Sequence, residues 1–247
     1  MSSTKLKNAP LKEVIFELHW EVHMNHGGMQ TDTGFDLAQG KFAERLKTTF
    51  PLHKKLIPDG AQIKIIGAPV HQYWSGELEW PVVQHGQGMI AVNEVELGYE
   101  WEKSYKPLVN TTIDKLIESY EEPLRFNRVK LQYIDAWDLE NDMEPKVFMA
   151  DNLQTRIVTE YPLPGVLSGF HIQQNFELED GSLMNLNISN GVNNQNQKRS
   201  VVWTTTVERQ RFMDSVQIKD WLNIAHKATS SMFKQMLSPK FYASLDQ

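Results

Sequence analysis

The sequence predicts an α+β protein built on an antiparallel sheet, with helices packed on one face of that sheet. Apolar residues recur at every third or fourth position in some stretches and alternate with polar residues in others, which are the helix and strand periods. Both patterns meet between Lys103 and Leu139, at the middle of the 247-residue chain. A helix pattern over residues 105–120 ends before Pro123, and a strand pattern follows over residues 126–137.

The part of the chain before this central stretch contains a strand, a helix and two further strands. Residues 14–22 alternate as a strand, and Phe35, Phe42 and Leu46 share one face of a helix that ends before Pro51. Residues 73–80 and 88–97 predict two strands joined through a turn at Gln84–Gly88, whereas residues 52–69 show no firm periodicity. Together with the central helix and strand, this is the element order of a ferredoxin-like unit.

The second half repeats a similar order of elements. Residues 145–157 predict a short helix with proline in its first turn, and three strands are predicted at 170–178, 183–189 and 201–211. A long helix has its apolar stripe between Ile218 and Met236. This order favours two pseudo-repeated halves, residues 1–123 and 124–247, packed together as one unit. No residue-level repeat accompanies it.

Composition limits the function classes that are open to the chain. A hydrophobic content of 40% fits a globular protein, and 25 Lys and Arg against 31 Asp and Glu give no general attraction for nucleic acid. The absence of cysteine excludes disulfides, thiolate metal sites and cysteine nucleophiles. The N-terminal residues have no apolar signal segment, and no apolar run approaches the ~20 residues of a membrane helix. We therefore expect a cytoplasmic protein without a membrane partner.

No complete catalytic, metal or nucleotide motif occurs in the sequence. His23 and His26 are the first histidine cluster, but a metal site would need a third ligand such as His19 or His85. Solvated loop histidines are the favoured interpretation, and whether this pair binds metal is left open. Gln84–Gly88 lacks the lysine and serine of a phosphate loop. We predict no cofactor and no metal, assign no catalytic residue, and favour a protein that is not an enzyme.

Two groups of residues are candidates for binding. Aromatic residues and one histidine could form a ligand or partner surface, although large aromatics of a sheet more often fill the core. Their members are Tyr73, Trp74, Trp80, Tyr133 and His226. Basic residues interleaved with aromatics form the second group, a candidate nucleic-acid contact, which consists of Arg125, Arg128 and Lys130. The acidic total makes the nucleic-acid interpretation the weaker one.

Three stretches carry a resemblance to a known family. Lys7–Leu18, with the sequence KNAPLKEVIFEL, resembles the opening of a sporadically distributed bacterial family of uncharacterised proteins of about this length. Phe126–Ile134 and Ile224–Phe233 are similar to the same family. The resemblance implies a bacterial source and carries no activity and no catalytic residues over to this chain.

Two functional hypotheses follow from these observations. The leading one is a non-catalytic binding or sensing protein, an accessory component of a bacterial defence or toxin-control system, with another protein as its partner. The alternative is a small-molecule-binding protein or enzyme with a pocket between the sheet and the C-terminal helix. Exposed strand edges and abundant aromatics also predict a homo-oligomer.

Overall fold

The computed structural model describes residues 6–24, 28, 30–58, 65–140, 143–162, 164–165 and 167–246. Along these residues the strands are β1 (Leu11–Trp20), β2 (His23–Met24), β3 (Gln30–Thr31), β4 (Leu52–Lys55), β5 (His71–Gly76), β6 (Glu79–Gly86), β7 (Met89–Glu94), β8 (Phe126–Asp138), β9 (His171–Glu177), β10 (Leu183–Val192) and β11 (Arg199–Met213). The helices are α1 (Phe35–Leu46), α2 (Lys106–Ile117), α3 (Pro145–Asn152), α4 (Ser215–Met236) and α5 (Pro239–Ser244), and a π-helix at Trp101–Tyr105 leads into α2.

Nine of these strands form one sheet in the order β4-β5-β6-β7-β1-β8-β11-β10-β9, while β2 and β3 pair with each other. Neighbouring strands from β4 to β7 pair antiparallel, as do β7 with β1 and β9 with β10. The predicted α+β class and the predicted antiparallel sheet are therefore confirmed.

The same order of elements occurs in each half of the chain. A strand and a helix come first, and a meander of strands then ends beside that first strand. In the first half, β1 and α1 precede the meander of β4 to β7, and β7 lies beside β1. In the second half, β8 and α3 precede β9 to β11, and β11 lies beside β8. Because β1 separates β7 from β8 and α2 connects these two strands, the four elements form the interleaved connection of a split β-α-β unit.

The chain divides into two compact units. One comprises Val14–Leu131 and Glu208–Ile224, and the other comprises Met1–Glu13, Gln132–Val207 and Ala225–Gln247. Strands β8 and β11 and helix α4 each contribute residues to both units.

The unit containing Val14–Leu131 has its core on one sheet face, with buried residues from α1, α2 and the first part of α4. Alternate residues of β1, among them Phe16 and Leu18, are buried on this face. Phe42 of α1 and Ile113 of α2 are completely buried, because apolar residues at three- and four-residue spacing give each helix one apolar stripe. Burial of each such side chain contributes about 1.5–3 kcal/mol.

The other unit has its own apolar cluster. Trp203 of β11 and Ile188 of β10 are completely buried and pack with α3 and the end of α4. Ser238 caps the N-terminus of α5, because its hydroxyl accepts a hydrogen bond from the backbone N–H of Phe241. Helix α5 is missing from the sequence prediction, which took Pro239 only as the end of α4; proline is also favoured in the first turn of a new helix.

The prediction of one strand over residues 73–80 is wrong, because a tight hairpin turn divides this segment into the end of β5 and the start of β6. The chain turns at Glu77 and Leu78 between β5 and β6, and Leu78 has a φ of 58°. Gln84 and His85 belong to β6, so the predicted turn at Gln84–Gly88 is confined to Gln87 and Gly88. Gly88 has a φ of 70°, which glycine adopts at little cost.

Candidate functional site

Four apolar side chains lie at or near the turn end of the β5–β6 hairpin. Leu52 and Trp74 share one face of the strands because they pair directly across β4 and β5. The register of β5 and β6 shifts by one residue next to Trp74, and the contact between the two indole rings places Trp80 beside Trp74. Leu78 occupies the adjoining turn. We call Leu52, Trp74, Leu78 and Trp80 the tryptophan patch.

The tryptophan patch is exposed to solvent. Leu78 is 82% exposed, Leu52 is 44% exposed and Trp80 is 37% exposed. The rings of Trp74 and Trp80 meet edge to face with their centroids 5.5 Å apart. An exposed apolar patch with two indoles is the kind of surface that proteins use to hold a partner.

Polar contacts hold the backbone beneath the tryptophan patch. The Ser75 hydroxyl donates to the carbonyl oxygens of Glu79 and Trp80, at 3.0 and 3.3 Å. The Trp74 indole N–H donates to Gln72 Oε1 at 3.3 Å. The Ser75 contacts tie the two strands of the hairpin together, and the Gln72 contact orients the Trp74 indole within β5.

Tyr73, another predicted binding residue, lies on the opposite face of β5 from Trp74. It is 1% exposed, its ring meets Phe42 edge to face at 5.6 Å, and its hydroxyl accepts a 3.5 Å hydrogen bond from Gln39. Burial raises its pKa to about 12. The structure therefore places Tyr73 in the core, beneath the strands that carry the patch.

Three histidines cross the same core-facing side of β4, β5 and β6. His71 pairs directly with His85 across β5 and β6, and His53 of β4 lies beside them with its Nε2 2.8 Å from His71 Nδ1. The His53 ring stacks on Tyr73. Burial lowers the pKa of His53, and burial together with His53 and Lys55 lowers the pKa of His71 to about 4.

His85 is fully enclosed by aromatic side chains. Its ring centroid lies 4.9 Å from that of Phe35 and 5.0 Å from that of Phe42. Within the described part of the chain, neither ring nitrogen has a hydrogen-bond partner. Burial, with a further contribution from His71, lowers the pKa of His85 to about 3, so the imidazole is neutral.

The structure describes only one member of the first histidine cluster. His23 is an exposed residue of β2, whereas His26 lies outside the described residues. Among the residues that the structure describes, no group of three or more histidines and carboxylates is arranged to hold a metal ion.

Each of the predicted basic residues has a carboxylate partner. Arg128 Nη2 lies 2.6 Å from Glu208 Oε2, and Lys130 Nζ lies 2.6 Å from Glu17 Oε1. Arg125 Nη1 lies 2.9 Å from Glu21 Oε2. The Arg125 guanidinium also lies over the Phe212 ring, 4.6 Å from its centroid. A phosphate at this cluster would have to compete with these carboxylates.

The lowered pKa of Glu17 reflects its ion pair with Lys130. Burial raises its pKa, but hydrogen bonds with His19 and Lys130 outweigh that effect and bring the pKa to about 2. The carboxylate is therefore ionised at neutral pH and keeps Lys130 engaged.

Tyr133 and His226 are brought together by the structure. The Tyr133 hydroxyl of β8 lies 2.9 Å from His226 Nδ1 of α4. Asp135 stands two positions along β8 on the same side and is 5% exposed. Burial raises its pKa to about 7, against opposing effects of Lys12 and Trp203. The Trp203 indole N–H approaches this carboxyl without completing a hydrogen bond of normal geometry.

Comparisons of the chain with protein-family models, with curated proteins and with solved structures find no match. Among the helices that the structure describes, none combines the length and apolar character needed to cross a bilayer.

Proposed function

We propose that this chain is a non-catalytic binding protein whose partner is another protein, held at the tryptophan patch. The observation that carries the proposal is the exposure of Leu78 and Trp80 beside Trp74 at the end of the hairpin. Tryptophans at the centre of an interface contribute a large share of its binding energy. Such a role agrees with the accessory component of a bacterial defence or toxin-control system that we expect from the sequence.

The residues next to the patch indicate the chemistry of the partner. Strand β4 is exposed along its whole length and carries Lys54 on the same face as Leu52, while Lys55 pairs with His71 and lies on the opposite face. It ends the nine-stranded sheet, so within the described residues no further strand covers its outer edge. An extended partner segment could therefore add its main chain to β4, place an apolar side chain on the indoles and direct carboxylates toward the lysines.

Substitution of Trp80 tests this proposal. Trp80→Ala is expected to weaken the partner complex by about tenfold or more, because truncating a central interface tryptophan costs about 2 kcal/mol or more. Leu97→Ala is the matched control, since Leu97 is 90% exposed but is not part of the patch. The measurement is the dissociation constant of the purified partner, after retention of that partner by the native chain has identified it.

The outcome that contradicts the proposal is equal affinity of the wild-type chain and Trp80→Ala. Circular dichroism and a thermal melt of both variants check that each is folded. A change of Lys54 and Lys55 to glutamate should weaken binding further as salt is lowered, if the partner segment is acidic.

A second candidate function is small-molecule binding or catalysis between β8 and α4. It is favoured by the 2.9 Å contact of Tyr133 with His226 and by the nearby Asp135, whose raised pKa resembles those of functional carboxyls. A ligand screen by thermal shift tests it. A ligand of this site should stabilise the wild-type chain and lose that effect in Tyr133→Phe; stabilisation of both chains to the same extent would exclude this site.

A further inference from the structure

Strand β9 is an edge strand whose outer side is open to pairing within the described part of the chain. It ends the sheet opposite to β4, pairs with β10 along all seven residues, and has no further strand on its other side within the described residues. Every second residue of such a strand directs its N–H and C=O groups outward. Its sequence HIQQNFE contains no lysine, arginine or proline, the residues that commonly block edge pairing.

The side chains of β9 are arranged with a symmetry about its middle residue. Residues 172, 174 and 176 face the same side as the buried Ile188, Leu186 and Met184 of β10, while residues 171, 173, 175 and 177 face the opposite side. On that opposite side, amide groups form a ladder in which Asn185 donates to Asn175 and His171 contacts Asn187 at 3.0 Å. Amides are both donors and acceptors, so such a ladder can continue onto an identical strand.

We infer that β9 pairs antiparallel with β9 of a second copy of this chain, about a two-fold axis at Gln174. This register is the one that overlaps all seven residues, and it places complementary side chains opposite each other. Ile172 lies opposite the second copy's Phe176, Gln173 opposite its Asn175, and His171 opposite its Glu177.

The pairs of Ile172 with Phe176 lie on one side of the joined sheet, and the other two kinds of pair lie on the opposite side. The pairs of Ile172 with Phe176 cover apolar groups that are partly exposed in one copy, Phe176 by 37%. The pairs of His171 with Glu177 bring an imidazole and a carboxylate together, which favours this register over one that is shifted by two residues. Because the interaction is isologous, it closes at two copies.

The opposite edge of the sheet does not offer the same surface. Strand β4 has only four residues and carries Lys54 and Lys55, so a second β4 beside it would bring like charges together. Of the two edges, β9 is therefore the one that is complementary to itself. The tryptophan patch uses none of these residues, and so the dimer and the proposed partner binding can fail independently.

A single introduced cysteine tests the register. The chain has no cysteine, so a disulfide in Gln174→Cys can form only between two copies. Residues directly opposite each other on antiparallel strands have Cα atoms about 4.5–5.5 Å apart, within the range that a disulfide spans. We expect mild oxidation to convert Gln174→Cys into a covalent dimer of twice the 28.5 kDa chain, while Gln195→Cys, at an exposed loop position, stays mostly monomeric.

Charge reversal tests the same pairing without a covalent link. In sedimentation experiments, Glu177→Lys should raise the dimer dissociation constant by about tenfold, and His171→Glu should have a similar effect. The double variant restores opposite charges across the two-fold axis and should recover the dimer. A wild-type chain that sediments as a monomer at high concentration overturns the proposal. Equal cross-linking of the two cysteine variants, or failure of the double variant to recover, overturns the register.

Discussion

Replacing His85 by leucine is expected to flatten the pH dependence of folding stability between pH 8 and pH 5. The pKa of this imidazole falls from 6.5 to about 3 because the aromatic core excludes water. The unfolded chain therefore binds a proton that the folded chain does not, between these two values. A lowered pKa in the folded state means that stability is fully present above pH 6.5 and is lost as pH falls toward 3.

The size of the effect follows from the two pKa values. At pH 5, His85 is almost wholly protonated in the unfolded chain and almost wholly neutral in the folded chain. Its contribution makes the folded state about 2 kcal/mol less stable at pH 5 than at pH 8, with a limit of about 5 kcal/mol in strong acid. Leucine removes this contribution. It also removes two buried nitrogens that lack partners, so the variant should be more stable by about 1 kcal/mol even at pH 8.

Urea unfolding followed by circular dichroism at pH 5 and pH 8 measures both effects. His23→Leu is the control, because His23 is an exposed histidine outside this core. His71, with its pKa lowered to about 4, keeps part of the pH dependence in the His85 variant. If the free energy of unfolding of His85→Leu changes between pH 8 and pH 5 by as much as that of the wild-type chain, then His85 is not a neutral buried group and the reasoning is refuted.

Two further substitutions test the buried carboxyl group of Asp135 and the partly buried carboxylate of Asp32. Asp135→Asn should stabilise the folded protein at pH 8 by as much as about 4 kcal/mol, because burial raises the Asp135 pKa from 3.8 to about 7 and stability is therefore lost as pH rises through this range. Urea unfolding at pH 4 and pH 8 measures the effect. A variant with the same pH dependence as the wild-type chain would contradict it. Asp32→Ala should destabilise the folded protein by about 3 kcal/mol, because the Asp32 carboxyl accepts hydrogen bonds from the Trp20 indole, the Gly88 N–H and the Tyr120 hydroxyl. Asp151→Ala, at an exposed position, is the control. Equal melting temperatures of these two variants would argue against the network.

Regular elements with one buried face could be predicted from the sequence, since their periodicity records the burial. The stripe from Ile218 to Met236 lies within α4, and the alternation over residues 126–137 lies within β8. Residue pattern identifies these elements because the core imposes a period of 3.6 on a helix and 2 on a strand.

Elements without a buried face could not be predicted in the same way. Strand β4 is exposed at all four positions, so no alternation of apolar and polar residues reveals it. The hairpin turn at Leu78 was missed because a leucine with a positive φ carries none of the usual turn chemistry of glycine or asparagine. This turn brings Trp74 and Trp80 together, so the tryptophan patch could not be predicted from the pattern of apolar and polar residues.

The histidine row was missed for a related reason. His53, His71 and His85 lie 18 and 14 residues apart in sequence and come together only through the register of β4, β5 and β6. Sequence proximity favoured His23 and His26 instead. A histidine within an apolar strand pattern, as at His85 after Val82 and Val83, is the one signal that could have pointed to the core.

The two ends of the sheet differ in the chemistry that controls pairing. The β4 edge is short and bears lysines, which repel a second copy of itself but suit an acidic segment. The β9 edge carries one carboxylate, Glu177, which lies opposite the His171 imidazole of a second copy only when the two strands run antiparallel. Association through β9 therefore leaves both β4 edges available. A dimer would then present two tryptophan patches, and a partner with two binding segments would be held more tightly than either segment alone, by an amount set by the length of its linker.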